Sequence, residues 1–200
     1  MSSRMAFTDL TRLPDADLPR VDVVISNSRG EDHAWVAQAM QSVKEQAYWN
    51  TGLIVVDNLD RSLSLGEAWN IGIEASEAPL LLFLREEDAL TPDLLDCMVT
   101  FYVLGKRQNP SLAHVTTYIT ILDDATGRTA FAQLSQAGMF ERSAIVAERF
   151  DTHLTHRLEA DLLRRVQQQA PERSLTLGLA HHYGYIFRNH AFRVDRIPTT

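Results

Sequence analysis

The chain has 200 residues, 45% of them apolar, which suffices for one domain with a continuous core and excludes a disordered or fibrous protein. Lys and Arg number 19 against 26 Asp and Glu, so the net charge of −7 gives no general basic surface for a phosphate backbone, only room for a local patch. The single cysteine, Cys97, excludes an internal disulfide and any multi-cysteine metal site.

Residues 1–20 carry scattered charges and two prolines, Pro14 and Pro19, without apolar periodicity, and read as a leader or arm. They lack the apolar segment of a signal peptide. The longest apolar run, Ala78–Leu84, falls far short of the roughly 20 residues a membrane helix needs, so a cytoplasmic protein with no transmembrane segment is expected. Val21-Asp22-Val23-Val24-Ile25 is a strand that stops at the polar cluster Ser26-Asn27-Ser28-Arg29-Gly30. Glu31 and Asp32 favour a helix start, and Val36, Met40, Val43 and Ala47 follow at helical spacing. Leu53–Val56 is a second strand ending at Asp57-Asn58. Residues 66–77 form a helix with Ala68, Ile71 and Ala75 on one stripe. Leu80–Leu84 is apolar throughout and ends in Arg85-Glu86-Glu87-Asp88; Thr91-Pro92-Asp93 then opens a helix to about Leu104.

Strands without polar alternation are buried on both faces, which predicts a mostly parallel α/β sheet flanked by helices. All three strands end in polar residues at their carboxyl ends, where open α/β sheets place their ligand crevice. The second half reads as mixed α+β in the same domain. His114–Leu122 is a strand, Asp123–Arg128 a turn and Thr129–Gln133 a returning strand. Residues 143–149 and 157–169 are helices, and residues 183–187 a last strand. Cys97 sits among Leu94, Leu95 and Met98 and reads as a buried thiol, and Trp35, Trp49 and Trp69 read as core or rim packing.

Several blocks, in order, resemble the glycosyltransferase family 2 proteins with the GT-A fold. These are Val23-Val24-Ile25; Ala39-Met40-Gln41-Ser42-Val43 with Gln46; and Ile54-Val55-Val56-Asp57-Asn58. Gly66-Glu67-Ala68-Trp69-Asn70-Ile71-Gly72 and Leu82–Asp88 follow. Residues 138–143, the helix Leu158–Arg165 and Phe187-Arg188-Asn189-His190 extend the likeness more weakly. The resemblance implies a single Rossmann-like GT-A domain over residues 21–200. Its nucleotide-sugar half would span 21–105 and its acceptor half 106–200.

It further implies transfer of a sugar from a nucleotide-sugar, a UDP-sugar foremost, to an acceptor hydroxyl, with inversion. Ser26, Asn27, Ser28, Asp57, Asn58, Arg85 and Glu86 would form the donor pocket, Asp57 accepting from the base. Glu87 and Asp88, with His190 from the tail, would hold a divalent cation, Mn²⁺ or Mg²⁺. Glu159 would be the general base. Arg85 stands where the family has the first aspartate of its acidic motif. A cation there weakens metal affinity or itself contacts the diphosphate.

The stripe Leu158, Leu162 and Val166 also marks a core-facing helix, with Asp161 placed to pair with Arg164 or Arg165. Two readings therefore stand: an active transferase, or an impaired nucleotide- or sugar-binding relative. A nucleotidyltransferase or kinase-like enzyme is disfavoured, because no Gly-x-x-x-x-Gly-Lys loop or Gly-x-Gly-x-x-Gly turn is present. The acceptor class stays open among a saccharide, a lipid-linked sugar, a protein and a modified nucleic-acid base, and so does a homo-oligomer.

Overall fold

Three apolar runs become three parallel strands. β1 (Val21–Asn27) lies between β2 (Thr51–Asp57) and β3 (Leu80–Arg85), with Val21 opposite both Thr51 and Leu80. Every residue of β1 is buried, as is all of β3 except Arg85, because helices cover both faces. Val21, Val23 and Ile25 face α1 (Ala34–Lys44) and α3 (Leu94–Gln108), whereas Val24 faces α2 (Leu65–Ala75). The computed structural model describes residues 18–169, 171, 175–179 and 182–189, so most of the expected leader, together with His181 and His190, lies outside the described residues.

The second half completes an eight-stranded mixed sheet. Its elements are β4 (Ala89–Leu90), β5 (Leu112–Asp123), β6 (Thr129–Glu141), α4 (Arg142–Ile145), α5 (Leu158–Gln169), β7 (Leu175–Leu179) and β8 (Tyr185–Asn189). The order is β2-β1-β3-β6-β5-β8-β4, with β7 also on β5. β6 runs antiparallel to both β3 and β5, so it joins the parallel half to the rest. Successive stretches of β5 pair with β7 and then β8, both parallel to it. Helices α4 and α5 pack beside α2 through Ile145, Leu158, Leu162 and Val166. Among the described residues no helix is long and apolar enough to cross a membrane.

Side chains singled out in the sequence have structural work here. Ser42 Oγ donates to Ala39 O and accepts the Leu90 N–H at 3.1 Å. Gln46 donates to Thr91 O at 2.7 Å and accepts from Leu95 N at 3.0 Å, tying the end of α1 to the β4–α3 junction. Asn70 makes a reciprocal pair with the Phe150 backbone, donating to its O at 3.0 Å and accepting from its N at 2.8 Å. Helix α2 is started by a capping box between Ser64 and Glu67. Gly72 lets α2 approach β1, since a Cβ there would fall 2.2 Å from Val24 Cγ1. Asp161 pairs with Arg164 at 2.7 Å and with Arg165 at 2.8 Å, as its spacing predicts.

Several elements differ from the sequence reading. The stripe read for α2 is corrected: Ile71 and Ala75 are exposed, and the helix buries Trp69, Gly72 and Ile73 beside Ala68. Helix α1 begins at Ala34 rather than at Glu31, because the His33 ring accepts the Trp35 N–H as an N-cap. Strand β6 runs on through Glu141, held by β3 and β5 on its two sides. The helix expected over 143–149 shrinks to a single turn. Arg149 sits at φ 52, and the Arg165 guanidinium donates to the Glu148 and Arg149 carbonyls, so tertiary bonds replace helical ones.

Two stability predictions follow from this packing. Gly72→Ala should destabilise by about 1–3 kcal/mol through overpacking against Val24, outweighing the ~0.5–1 kcal/mol that alanine gains in a helix. An unchanged or raised denaturation midpoint would contradict it. Fully buried His114, stacked on Phe140 with ring centroids 4.3 Å apart, has its pKa pushed down by burial to about 3. The unfolded chain therefore takes up this proton first as pH falls. Stability from keeping His114 neutral is complete above its unfolded pKa of about 6.5 and is lost towards pH 3, at ~1.4 kcal/mol per pH unit. Chemical denaturation between pH 7.5 and pH 4.5 should show a shallower acid-side loss for His114→Gln than for the parent; equal slopes would refute the assignment.

Candidate functional site

The register of the parallel strands decides where the site forms. Asn27 lies opposite Asp57, and Ser26 opposite Arg85, so the chain leaves all three strands at one edge of the sheet. A cleft of about 300 Å³ opens there. Ser26, Ser28 and Arg29 come from the end of β1; Asn58, Arg61 and Leu63 from the loop after β2. Leu65 at the start of α2 closes one side, and Arg85, Glu86 and Glu87 line the end of β3.

Side chain–backbone bonds build this rim. Asn27 is buried; its amide donates to Asp57 Oδ1 at 3.1 Å, and its oxygen accepts the Gly30 N–H at 2.8 Å. Gly30 turns the chain at φ 89, a left-handed value that glycine adopts without steric strain. Asn58 closes the next loop, its amide donating to Leu63 O at 2.8 Å and its oxygen accepting from Leu63 N at 3.0 Å. Its own N–H donates to Asn27 O at 2.8 Å, so the two loops are joined. Glu86 is buried and accepts from the Ser28 N–H, from Ser28 Oγ at 2.7 Å and from Arg29 Nε at 2.8 Å. The Arg29 guanidinium also lies 4.9 Å from the Trp35 ring centroid.

Asp88 turns away from the cleft. It is buried, accepting from Tyr185 OH at 3.0 Å and from the Arg188 N–H at 2.8 Å. Arg188 spreads over the same loop, donating to Glu87 O at 3.1 Å and to Asp124 Oδ1 at 2.6 Å. Strand β8 thereby fixes the acidic turn from behind.

Six of the residues marked in the sequence, Ser26, Ser28, Asn58, Arg85, Glu86 and Glu87, share this one cleft. Asn27 and Asp57 stand at the same strand ends as a bonded pair, with Asp57 exposed. Glu159 lies apart from the lining, buried in the first turn of α5. Its neighbour Leu158 packs against Gly66 in the first turn of α2, where a Cβ would fall 3.3 Å from Leu158 Cδ2. Asp88 is outside the lining, and His190 is outside the described residues. The sequence reading missed Arg61 and gave Arg29 no role. Both follow a strand end within a polar cluster, which was the available signal.

A second group sits at the start of α3. Asp93, Cys97 and His182 each offer one ligand atom, all within 4.8 Å of one another, a set able to hold a metal ion. His182 Nε2 is 3.2 Å from Asp93 Oδ2. The Thr91 hydroxyl, together with His182, holds Asp93 below the usual carboxylate range. Burial, and the charges of Asp93 and Asp96, push the Cys97 thiol up. None of these three lines the cleft.

No protein-family model matches the chain, and no curated protein matches it in sequence. Solved structures match it in fold. Residues 1–349 of S. aureus TarS in complex with UDP-GlcNAc superpose with a TM-score of 0.68 at 10% identity, covering 90% of this chain and 62% of that one. The same protein with UDP gives 0.64 at 12% identity, covering 84% and 60%. The mannosyltransferase PcManGT from Pyrobaculum calidifontis, in complex with GDP-Man and Mn²⁺, gives 0.66 at 10% identity, covering 87% and 58%. The chain thus spans about three fifths of the length of these structures. Its parallel β1–β3 core, continued by the antiparallel β6, is the GT-A fold of glycosyltransferases.

Proposed function

We propose that this chain binds a nucleotide-sugar in the cleft and transfers the sugar, with inversion, to an acceptor hydroxyl. One observation carries the reading: three parallel strand ends converge on a single polar cleft of about 300 Å³. The cleft lies in a fold whose solved examples include complexes with UDP-GlcNAc and GDP-Man. A UDP-sugar is the donor of choice. The exposed Asp57 accepts from the base, Ser26 and Ser28 contact the nucleotide, and the arginines face the diphosphate.

In the reaction the acceptor oxygen attacks the anomeric carbon as the bond to the diphosphate oxygen breaks. The acceptor proton passes to the carboxylate of Glu159, and the bonding pair leaves with the nucleoside diphosphate. Glu159 is buried at the first turn of a helix packed against α2.

The divalent cation that the family resemblance implies does not fit the donor set at this cleft. Mg²⁺ and Mn²⁺ take several hard oxygen ligands. Here the motif opens with Arg85, Glu86 is taken up by Ser28 and Arg29, and Asp88 is buried under Tyr185 and Arg188. Glu87 beside a guanidinium is not a cation cage.

The placement of Glu159 away from the lining favours one second reading, a nucleotide-sugar-binding protein without turnover. Incubation with a panel of UDP- and GDP-sugars, followed for nucleoside diphosphate release, separates the two. The transferase reading expects release that Glu159→Gln lowers by about 10²-fold or more while nucleotide binding persists. Binding without release in the parent chain would leave the second reading, and silence in both assays would remove both.

A further inference from the structure

We infer that the cleft holds the donor's diphosphate with guanidinium groups in place of a divalent cation, Arg85 and Arg61 being the principal contacts. The inference rests on the nucleotide-sugar reading above and adds to it the chemistry of the site: a nucleoside diphosphate bound without metal. The lining carries three guanidinium groups, Arg29, Arg61 and Arg85, and two carboxylates, Glu86 and Glu87. Arg29 and Glu86 neutralise each other at 2.8 Å, with Arg29 further seated over Trp35. Arg61, Arg85 and Glu87 line the same cleft. A diphosphate brings at least two negative charges, and a guanidinium meets phosphate oxygens through two parallel N–H donors, which a lysine does not.

Arg61 is positioned for this. It stands at φ 55, a left-handed conformation uncommon for a side-chain-bearing residue. Its N–H donates to Asn58 O at 2.9 Å, and both amide atoms of Asn58 close the loop onto Leu63. The loop is thus fixed on each side of the arginine, and Arg61 is presented to the cleft. Arg85 ends β3, whose other residues are all buried, and lies opposite Ser26. The acids of the same turn are spent on structure: Glu86 organises the β1 loop, and Asp88 anchors β8. Recruiting either to a cation would strip donors from a buried carboxylate and dismantle the rim. When the anomeric bond breaks, the pair of electrons settles on the diphosphate oxygen. The added charge falls to Arg61 and Arg85, while the acceptor proton goes to Glu159.

Calorimetric titration with UDP, GDP and inorganic pyrophosphate, in EDTA and again in Mn²⁺, tests the inference. Affinity for the nucleotides should change by less than about threefold between the two conditions and should fall with salt. Arg61→Ala and Arg85→Ala should each weaken binding by about tenfold or more in EDTA. Arg61 is exposed, so its substitution tests the cleft without endangering the fold, and melting curves of both variants check that. Nucleotide affinity is the readout because Mn²⁺ at the Asp93, Cys97 and His182 group would shift melting by itself. Nucleotide binding that appears only with Mn²⁺, or arginine variants that bind like the parent, would overturn the inference and leave the transferase reading standing. No nucleotide binding in either condition would overturn both.

Discussion

β1 is hydrogen-bonded on both sides by parallel partners, and the geometry of the cleft follows from that pairing. A parallel pair cannot turn back at its carboxyl end; each strand must hand the chain to a crossover helix. Three such strands in register therefore release three loops at one edge, after Asn27, Asp57 and Arg85. Apolar burial holds the register. Val21, Val23, Val24 and Ile25 are wholly inaccessible, as are Leu80, Leu81, Leu82 and Leu84 of β3, and a slip of one residue would turn each of them to the wrong layer. The polar rim is a consequence of the apolar strands beneath it.

The rim is held by polar side chains that use backbone groups as partners. Asn27 bonds to Gly30 and Asp57, Asn58 to Leu63, and Glu86 to Ser28 and Arg29, so each loop is tied to itself or to its neighbour. The same economy appears further away, where Ser42 and Gln46 dock α1 on the β4–α3 junction and Asn70 clasps Phe150. These bonds engage Glu86 and Asp88 within the protein, and they turn what looks in sequence like a cation-binding turn into a structural one.

Much of the fold was legible from the chain alone, for identifiable reasons. Val21–Ile25, Leu53–Val56 and Leu80–Leu84 stand out because a strand covered on both faces has no polar alternation. Helix α1 carries its apolar stripe through Val36, Met40 and Val43, whereas the stripe read for α2 through Ile71 and Ala75 is exposed. The elements that escaped lack any such mark. β4 has two residues, and β7 is the segment Leu175–Leu179, made a strand by β5 beside it. The run of β6 through Gly138-Met139-Phe140 depends on pairing with Leu81 and His114, far away in sequence. At the site, position could be read but orientation could not. The chain showed three polar clusters at strand ends; it did not show that Glu86 and Asp88 turn to protein partners, or that Arg61 turns to the cleft.

The central claim is that the three strand ends form one diphosphate-binding cleft lined by arginine. A crystal structure of the chain soaked with a UDP-sugar tests it most directly. The account predicts the two phosphates between the β1 loop, Arg61 and Arg85, with Glu86 still bonded to Ser28 and Arg29. A nucleotide bound elsewhere on the molecule, or phosphates held by a cation on Glu86 and Asp88 released from their present partners, would contradict it.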